Sequence, residues 1–203
     1  MTPYNCGVPP RTIALIAGAS GSGKSRLARL SGLPCLRLDD FYRDGTTPGL
    51  PEGSQGTIDW DDIATWDAAA AADALARLSR DGTALVPTYD IGANAVVGSH
   101  LVTADAPAVV AEGIFATDIL AACHASQVPA IAIWLDRGRW VTWWRRLNRD
   151  IREHRKPLRV LWRRGHALRR AEPALRQSAI AAGFTPMSMR QARTALEAQK
   201  SAL

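Results

Sequence analysis

Residues Gly18, Ala19, Ser20, Gly21, Ser22, Gly23, Lys24 and Ser25 fit the pattern G-x-x-x-x-G-K-[ST] without a mismatch. Chemistry sets that spacing. Glycines let the main chain turn tightly and aim successive N–H groups at phosphate oxygens. A helix opening near Lys24 adds the positive end of its dipole. The Lys24 ammonium would reach the β- and γ-phosphates of a nucleoside triphosphate, and the Ser25 hydroxyl would ligate Mg2+. At average residue usage the pattern arises by chance in roughly one chain of this length in a hundred, so a nucleotide site outweighs an ordinary turn. ATP and Mg2+ are the expected cofactors. The motif is silent on what is phosphorylated.

Phosphoryl transfer needs a group to take the acceptor's proton and a carboxylate to help hold magnesium. Asp39, in Leu38-Asp39-Asp40-Phe41-Tyr42, and Glu112, in Val109-Val110-Ala111-Glu112-Gly113, each follow a short apolar run. Arg145, Arg149 and Arg152 recur at spacings that place them on one helical face, with Arg146 beside them. Guanidinium groups suit phosphate oxygens, and such a helix could act as a lid. Trp134, Trp140, Trp143, Trp144 and Trp162 cluster nearby and read as core or lid packing.

The elements that must position these groups alternate. Strands are expected at 12–17, 35–38, 108–111 and 130–135, as buried apolar runs. Helices are expected from Lys24 to Leu30, from Asp67 to Ser79 and from Trp140 to His154, with two or three more beyond Pro157. Ala84–Thr88 reads as a strand, with two short pieces, 95–97 and 101–103, split by Gly98 beside it. Residues 45–57 read as a loop, and Gly183–Pro186 as a break that is a candidate contact for adenine. Strand–helix alternation predicts a parallel sheet with ligands at the strands' carboxyl ends. Asp39, Glu112 and the glycine loop all fall at such ends.

The chain resembles the uridine/cytidine kinase family of P-loop kinases, related to phosphoribulokinase and bacterial pantothenate kinase. The motifs, in family order, are GASGSGKS (18–25), LDDFYRD (38–44), WDDIATWD (60–67), VPTYDI (86–91), VVAEGIF (109–115) and RRLNRD (145–150). The resemblance implies a three-layer α/β P-loop kinase fold, a parallel sheet flanked by helices. It also implies a small β-hairpin over the acceptor (84–104) and a basic helical lid (137–156), all in a single domain spanning 1–203. It implies that Asp39 is the general base near a ribose 5′-hydroxyl and that Tyr42 lines the acceptor site. By the same resemblance Trp60 occupies the family's aromatic position, Asp61 would bind ribose hydroxyls and Tyr89 would lie on the nucleobase side. Glu112 would contact magnesium directly or through water, and Arg146 and Arg149 would belong to the lid. Where the family has an aromatic after its Tyr-Asp pair this chain has Ile91, and Asn94 stands in place of a base-contacting His. The family's C-terminal strand is not recognisable in residues 171–203, which read as a helical segment.

Bulk properties are consistent with an enzyme of this size. The 203 residues are 47% apolar and 22% charged, enough to build a full core. Cys6, Cys35 and Cys123 are widely spaced and read as free thiols, and the four histidines show no metal-ligand spacing. No signal or membrane segment is visible, so a cytoplasmic protein is expected. The net charge of +6 is uneven: Arg137 to Arg170 holds 13 Lys/Arg against Asp150 and Glu153, and the rest carries −5. Such a basic block calls for a polyanion. The expected reaction is transfer of the ATP γ-phosphate to a small-molecule hydroxyl, foremost a nucleoside. Pantothenate or a sugar phosphate is the alternative acceptor, and a non-kinase nucleotide-binding ATPase or switch the rival. Membrane and nucleic-acid partners are not expected; a homo-oligomer is left open.

Overall fold

The computed structural model describes residues 9–53, 56–137 and 172–200. The lid helix expected at 137–156, with Arg146 and Arg149, lies outside them apart from Arg137, as do Cys6 and four of the five clustered tryptophans.

Five strands form a parallel sheet in the order β2 (Cys35–Arg37), β5 (Ala108–Glu112), β1 (Thr12–Ala17), β6 (Ala130–Leu135), β7 (Thr185–Met187). The central strands are continuous apolar runs because both faces are covered. Their period of two divides the core. Ile13, Leu15, Ala17, Val109, Ala111 and Trp134 face one cluster; Ala14, Ile16, Ala108, Val110, Ile133 and Leu135 face the other.

The first cluster is closed by α2 (Ala68–Asp81) and α3 (Ala116–Ala125), which contribute Ala71, Ala74, Leu75 and Leu78, and Ile119, Leu120 and Cys123. The second is closed by α1 (Lys24–Ser31), through Leu27 and Ala28. Beyond α4, helical over 172–181, α5 (Met189–Lys200) adds Ala192 and Leu196 to that cluster. Asp67 caps α2 by accepting from the Ala70 N–H at 2.9 Å. Ser188 and Gln191 form a reciprocal capping box at α5: the Ser188 N–H donates to Gln191 Oε1 at 2.9 Å and the Gln191 N–H to Ser188 Oγ at 3.3 Å.

Four sequence expectations change. The two short pieces at 95–97 and 101–103 are one strand, β4 (Ala95–Thr103), antiparallel to β3 (Thr83–Asp90). Gly98 does not split it: it pairs with Thr88, and the register shifts by one residue just beyond that pair, leaving Val97 unpaired as a bulge. Leu38 leaves the strand and opens a 3-10 turn, Leu38–Phe41. Helix α3 escaped the reading, its apolar residues being mostly small alanines that give weak periodicity. Lastly, residues 171–203 do contain a strand. Phe184 is buried in the core and Thr185, Pro186 and Met187 pair with Ile133, Trp134 and Leu135. Three residues including a proline sit on the sheet edge, where the missing N–H is tolerated but the sequence signal is faint. Half of the candidate adenine loop at 183–186, Thr185 and Pro186, is therefore edge strand. Among the described residues no helix is long and apolar enough to cross a membrane.

One core residue bears directly on the site. Trp66, 2% exposed, donates its indole N–H to the Leu38 carbonyl at 2.7 Å and stacks on Phe115 at 5.2 Å. It thereby anchors the turn that carries Asp39. Trp66→Phe leaves that buried carbonyl unpaired and should cost about 2–3 kcal/mol, read as a lower midpoint in urea unfolding; an unchanged midpoint would show the carbonyl is satisfied another way.

Candidate active site

The phosphate loop joins the carboxyl end of β1 to α1. Gly18, Gly21 and Gly23 have φ of 147°, 85° and 102°, values that L side chains rarely adopt. Space is restricted as well: a Cβ on Gly18 would lie 2.9 Å from Ser22 Oγ and 3.0 Å from the Leu135 carbonyl oxygen. Lys24, 9% exposed, donates from Nζ to the Gly18 carbonyl at 2.8 Å, folding its ammonium back over the loop. Ser22 is fully buried, and its hydroxyl has no hydrogen-bond partner in the structure. A glycine cradle, an inward ammonium and an orphaned hydroxyl together fit the phosphate tail of a nucleotide.

The sheet order puts β5 beside β1 and β2 beside β5. The ends of all three strands therefore converge. Ile16 pairs with Glu112, and Glu112 with Arg37. Burial pushes the Glu112 carboxyl above its ordinary range; the Ser25 hydroxyl and then the Lys24 ammonium pull it back, while Asp39 pushes it up. A carboxylate held against desolvation, beside an exposed serine hydroxyl, is a hard-oxygen donor pair suited to Mg2+.

Asp39 is half-buried in the 3-10 turn, and its Oδ1 accepts the Ile114 N–H at 3.4 Å. Gly113 makes that approach feasible: a Cβ there would lie 2.8 Å from Asp39 Oδ1 and 2.7 Å from Leu38 Cβ. The sequence alone attaches no role to Gly113. Its position directly after a strand-end acid was the available signal.

Four aromatic rings gather around Tyr42, whose phenol feels the Asp39 charge. Tyr42 lies 5.6 Å from Trp60, 5.4 Å from Tyr89 and 5.8 Å from Phe115, and Trp60 lies 6.0 Å from Tyr89 (all centroid distances). Phe115 is a further wall residue, with no earlier role attached. The Tyr42 hydroxyl donates to the Trp60 carbonyl at 3.0 Å; burial, then Asp39 and Asp61, push its phenol well up, so it stays a neutral donor. Asp61 is exposed at the rim. Tyr42, Trp60 and Tyr89 are thus brought together, with Asp61 close to Tyr42.

The hairpin tip is tied down onto the 44–45 segment. The Gly45 N–H donates to the Asn94 carbonyl at 2.7 Å and the Val96 N–H to Asp44 Oδ2 at 3.3 Å. Asn94, with φ of 51°, forms the turn, and Ile91 is 49% exposed. Tyr89 is 6% exposed, and its hydroxyl is buried without a hydrogen-bond partner in the structure. Removing that hydroxyl relieves an unmet desolvation cost, so Tyr89→Phe should raise stability by about 1 kcal/mol. A fall in the denaturation midpoint would mean the hydroxyl is hydrogen-bonded in solution.

No protein-family model matches the sequence, and no curated protein does. Solved structures do match. A candidate fructose transport system kinase from Silicibacter sp. TM1040 superposes with a TM-score of 0.57 at 19% identity, covering 91% of this chain and 92% of that one. A gluconokinase from Sinorhizobium meliloti gives 0.48 at 16% identity over 95% and 94% of the two chains. A candidate uridine kinase from Bacillus stearothermophilus gives 0.47 at 17% identity over 84% and 86%. At such identities the likeness is one of architecture, and the first of the three carries it: the chain has the α/β fold of a P-loop kinase, a parallel sheet flanked by helices.

Proposed function

We propose that the protein is an ATP-dependent phosphotransferase that moves the γ-phosphate of ATP to a hydroxyl of a small molecule. One observation carries the reading: the phosphate loop, Glu112 and Asp39 meet at the carboxyl ends of three adjacent strands, β1, β5 and β2. Residues 18–25 bind the phosphate tail. Ser25 and Glu112 would hold Mg2+, which would supply charge neutralisation to the phosphate tail. Asp39 orients the acceptor hydroxyl and takes its proton, with Tyr42, Trp60, Asp61 and Tyr89 as the acceptor wall. Arg146 and Arg149 are the lid cations of the same reading. Catalysis is then chiefly positioning and electrostatic stabilisation. A small-molecule enzyme of this kind would work in the cytoplasm.

The motif resemblance favours the 5′-hydroxyl of uridine or cytidine as the acceptor. A second reading keeps the reaction and changes the acceptor to a compact polyol, a sugar phosphate or pantothenate. One observation favours it. A flat base sandwiched between two rings needs them about 7 Å apart, twice a van der Waals stacking gap, and the rings of Tyr42, Trp60 and Tyr89 lie 5.4–6.0 Å apart.

The experiment incubates the full chain with ATP, Mg2+ and a panel of uridine, cytidine, fructose, gluconate, glycerate, pantothenate and ribulose 5-phosphate, with mass spectrometry of the products. One acceptor gaining a phosphoryl group is the expected outcome. Calorimetry with no heat from MgATP would sink the reading. ATP hydrolysis stimulated by single-stranded nucleic acid, without a phosphorylated acceptor, would favour a non-kinase ATPase instead.

A further inference from the structure

Strand β4 is the open edge of a two-stranded sheet, with β3 on one side and no strand on the other. At its base the Ala104 N–H donates to the Gly82 carbonyl at 2.7 Å, so that pair is hydrogen-bonded. Antiparallel alternation then makes 84–102, 86–100 and 88–98 the hydrogen-bonded pairs and leaves 83–103, 85–101 and 87–99 as the others. Pro87, which has no N–H to give, falls in the second set, as it must. The main-chain groups of Ser99, Leu101 and Thr103 therefore point to the open edge, where no described residue bonds them. Past the bulge at Val97 the Val96 N–H points the same way, and Asp44 takes it.

Proteins commonly guard such an edge with lysine, other charges or proline. Residues 95–103 contain no Lys, Arg, Asp, Glu or Pro. The bulge guards only the end near the tip, so 98–103 stays regular. The surface is also apolar. Of the ten large apolar side chains exposed among the described residues, Leu85, Ile91, Val96, Val97 and Leu101 all lie on this hairpin. Leu85 and Leu101, 68% and 64% exposed, stand opposite each other on one face. On the other face Gly98 and His100 are exposed as well, so the domain covers neither side of β4 there.

The edge is complementary to itself. A second copy running antiparallel about a twofold axis at Leu101 sets Leu101 against its counterpart and Ser99 against Thr103. The outward N–H and C=O groups of these three residues then meet in register. Across the four strands Leu85 and Leu101 of each copy form one row, flanked by Ser–Thr pairs. No like charges meet, and a twofold contact of this kind closes on itself. We infer that β4 is a homodimer interface, where two copies of this chain join edge to edge through 99–103 into a four-stranded sheet. A pairing this short belongs to the weak class, below about 1,200 Å². The dimer therefore forms with a dissociation constant on the order of 10–100 µM.

Sedimentation velocity on the full chain, from about 1 to about 300 µM, should show monomer giving way to dimer. Residue-resolved hydrogen exchange at the highest concentration should slow the amides of 99, 101 and 103 about three- to eightfold, the factor mass action sets. The amides of 98, 100 and 102, already bonded to β3, should change by less than about twofold. Leu101→Lys brings two ammonium groups together at the axis and should hold the protein monomeric throughout, with an unchanged melt because the position is exposed. Leu175→Lys places the same charge on an exposed leucine of α4 and should leave the dimer intact. A chain that stays monomeric at the highest concentration overturns a second copy as the occupant of this edge. So does a dimer that survives Leu101→Lys, or one that Leu175→Lys weakens equally. None of these readouts depends on the proposed reaction.

Discussion

Lys24→Ala is expected to lower phosphoryl transfer by about three orders of magnitude or more, equivalent to roughly 4 kcal/mol in the barrier. Lys24 is the first residue of α1, 9% exposed, with its Nζ 2.8 Å from the Gly18 carbonyl. In the proposed reaction that ammonium leaves the carbonyl and follows the γ-phosphate, where charge develops. Water cannot substitute, because the group sits in a partly dry site where electrostatic interactions are stronger than in bulk solvent. A second loss compounds the first: without the Lys24 charge, one of the influences that lower the Glu112 carboxyl is gone, and Glu112 becomes a poorer magnesium ligand. Helix α1 itself should survive, since alanine is the best helix former. The check is single-turnover transfer from labelled ATP to the acceptor found in the panel, beside a thermal melt. Wild-type rates in a folded variant would remove Lys24 from the mechanism.

Asp39→Asn separates chemistry from binding. The change keeps the shape and an oxygen for the Ile114 N–H, so the 3-10 turn should hold. It removes the ability to take a proton. A loss of 10²–10⁴-fold is the usual scale for a positioned general base (about 3–5 kcal/mol). ATP affinity should stay close to wild type, because Asp39 belongs to the β2 end while the phosphate loop belongs to β1, with β5 between them. Calorimetry with MgATP and a steady-state rate on the same preparation give both numbers. A variant that binds ATP and turns over normally would move the base elsewhere; a variant that no longer binds ATP would mean that Asp39 serves the metal.

Much of the architecture was legible because it is written in local pattern. The runs at 12–17, 108–111 and 130–135 are apolar throughout, and an apolar run bounded by glycine or an acid has few options besides a buried strand. The phosphate loop was legible for a related reason: the left-handed backbone at Gly21 and Gly23 needs glycine, so the conformation leaves a mark in the residue types. Helix α2 announced itself by Asp67 at one end and Gly82 at the other.

What stayed hidden depends on neighbours distant in sequence. Edge strand β7 has three residues and gains its identity from pairing with β6, about fifty residues earlier. Gly98 looked like a break but pairs with Thr88 across the hairpin, and the strand absorbs its irregularity as a bulge at Val97. The requirement for glycine at 113 arises from Leu38 and Asp39 in the 3-10 turn after β2; its place after a strand-end acid hints at a role, but which atoms demand the glycine shows only in the fold. Nothing in the local pattern separates Asp40 from Asp39; in the fold Asp40 is 3% exposed beside Arg37, whereas Asp39 is half-buried at the site.

The chain's own order thus determined that a phosphate-binding loop exists and which strand carries it, because backbone conformation and apolar runs are local properties. Only tertiary structure decided that β2, β5 and β1 lie side by side, bringing Asp39, Glu112 and Lys24 to one edge of the sheet, and that four aromatic rings close together next to them. Strand adjacency and ring packing are set by which surfaces exclude water together, and that is a property of the folded whole.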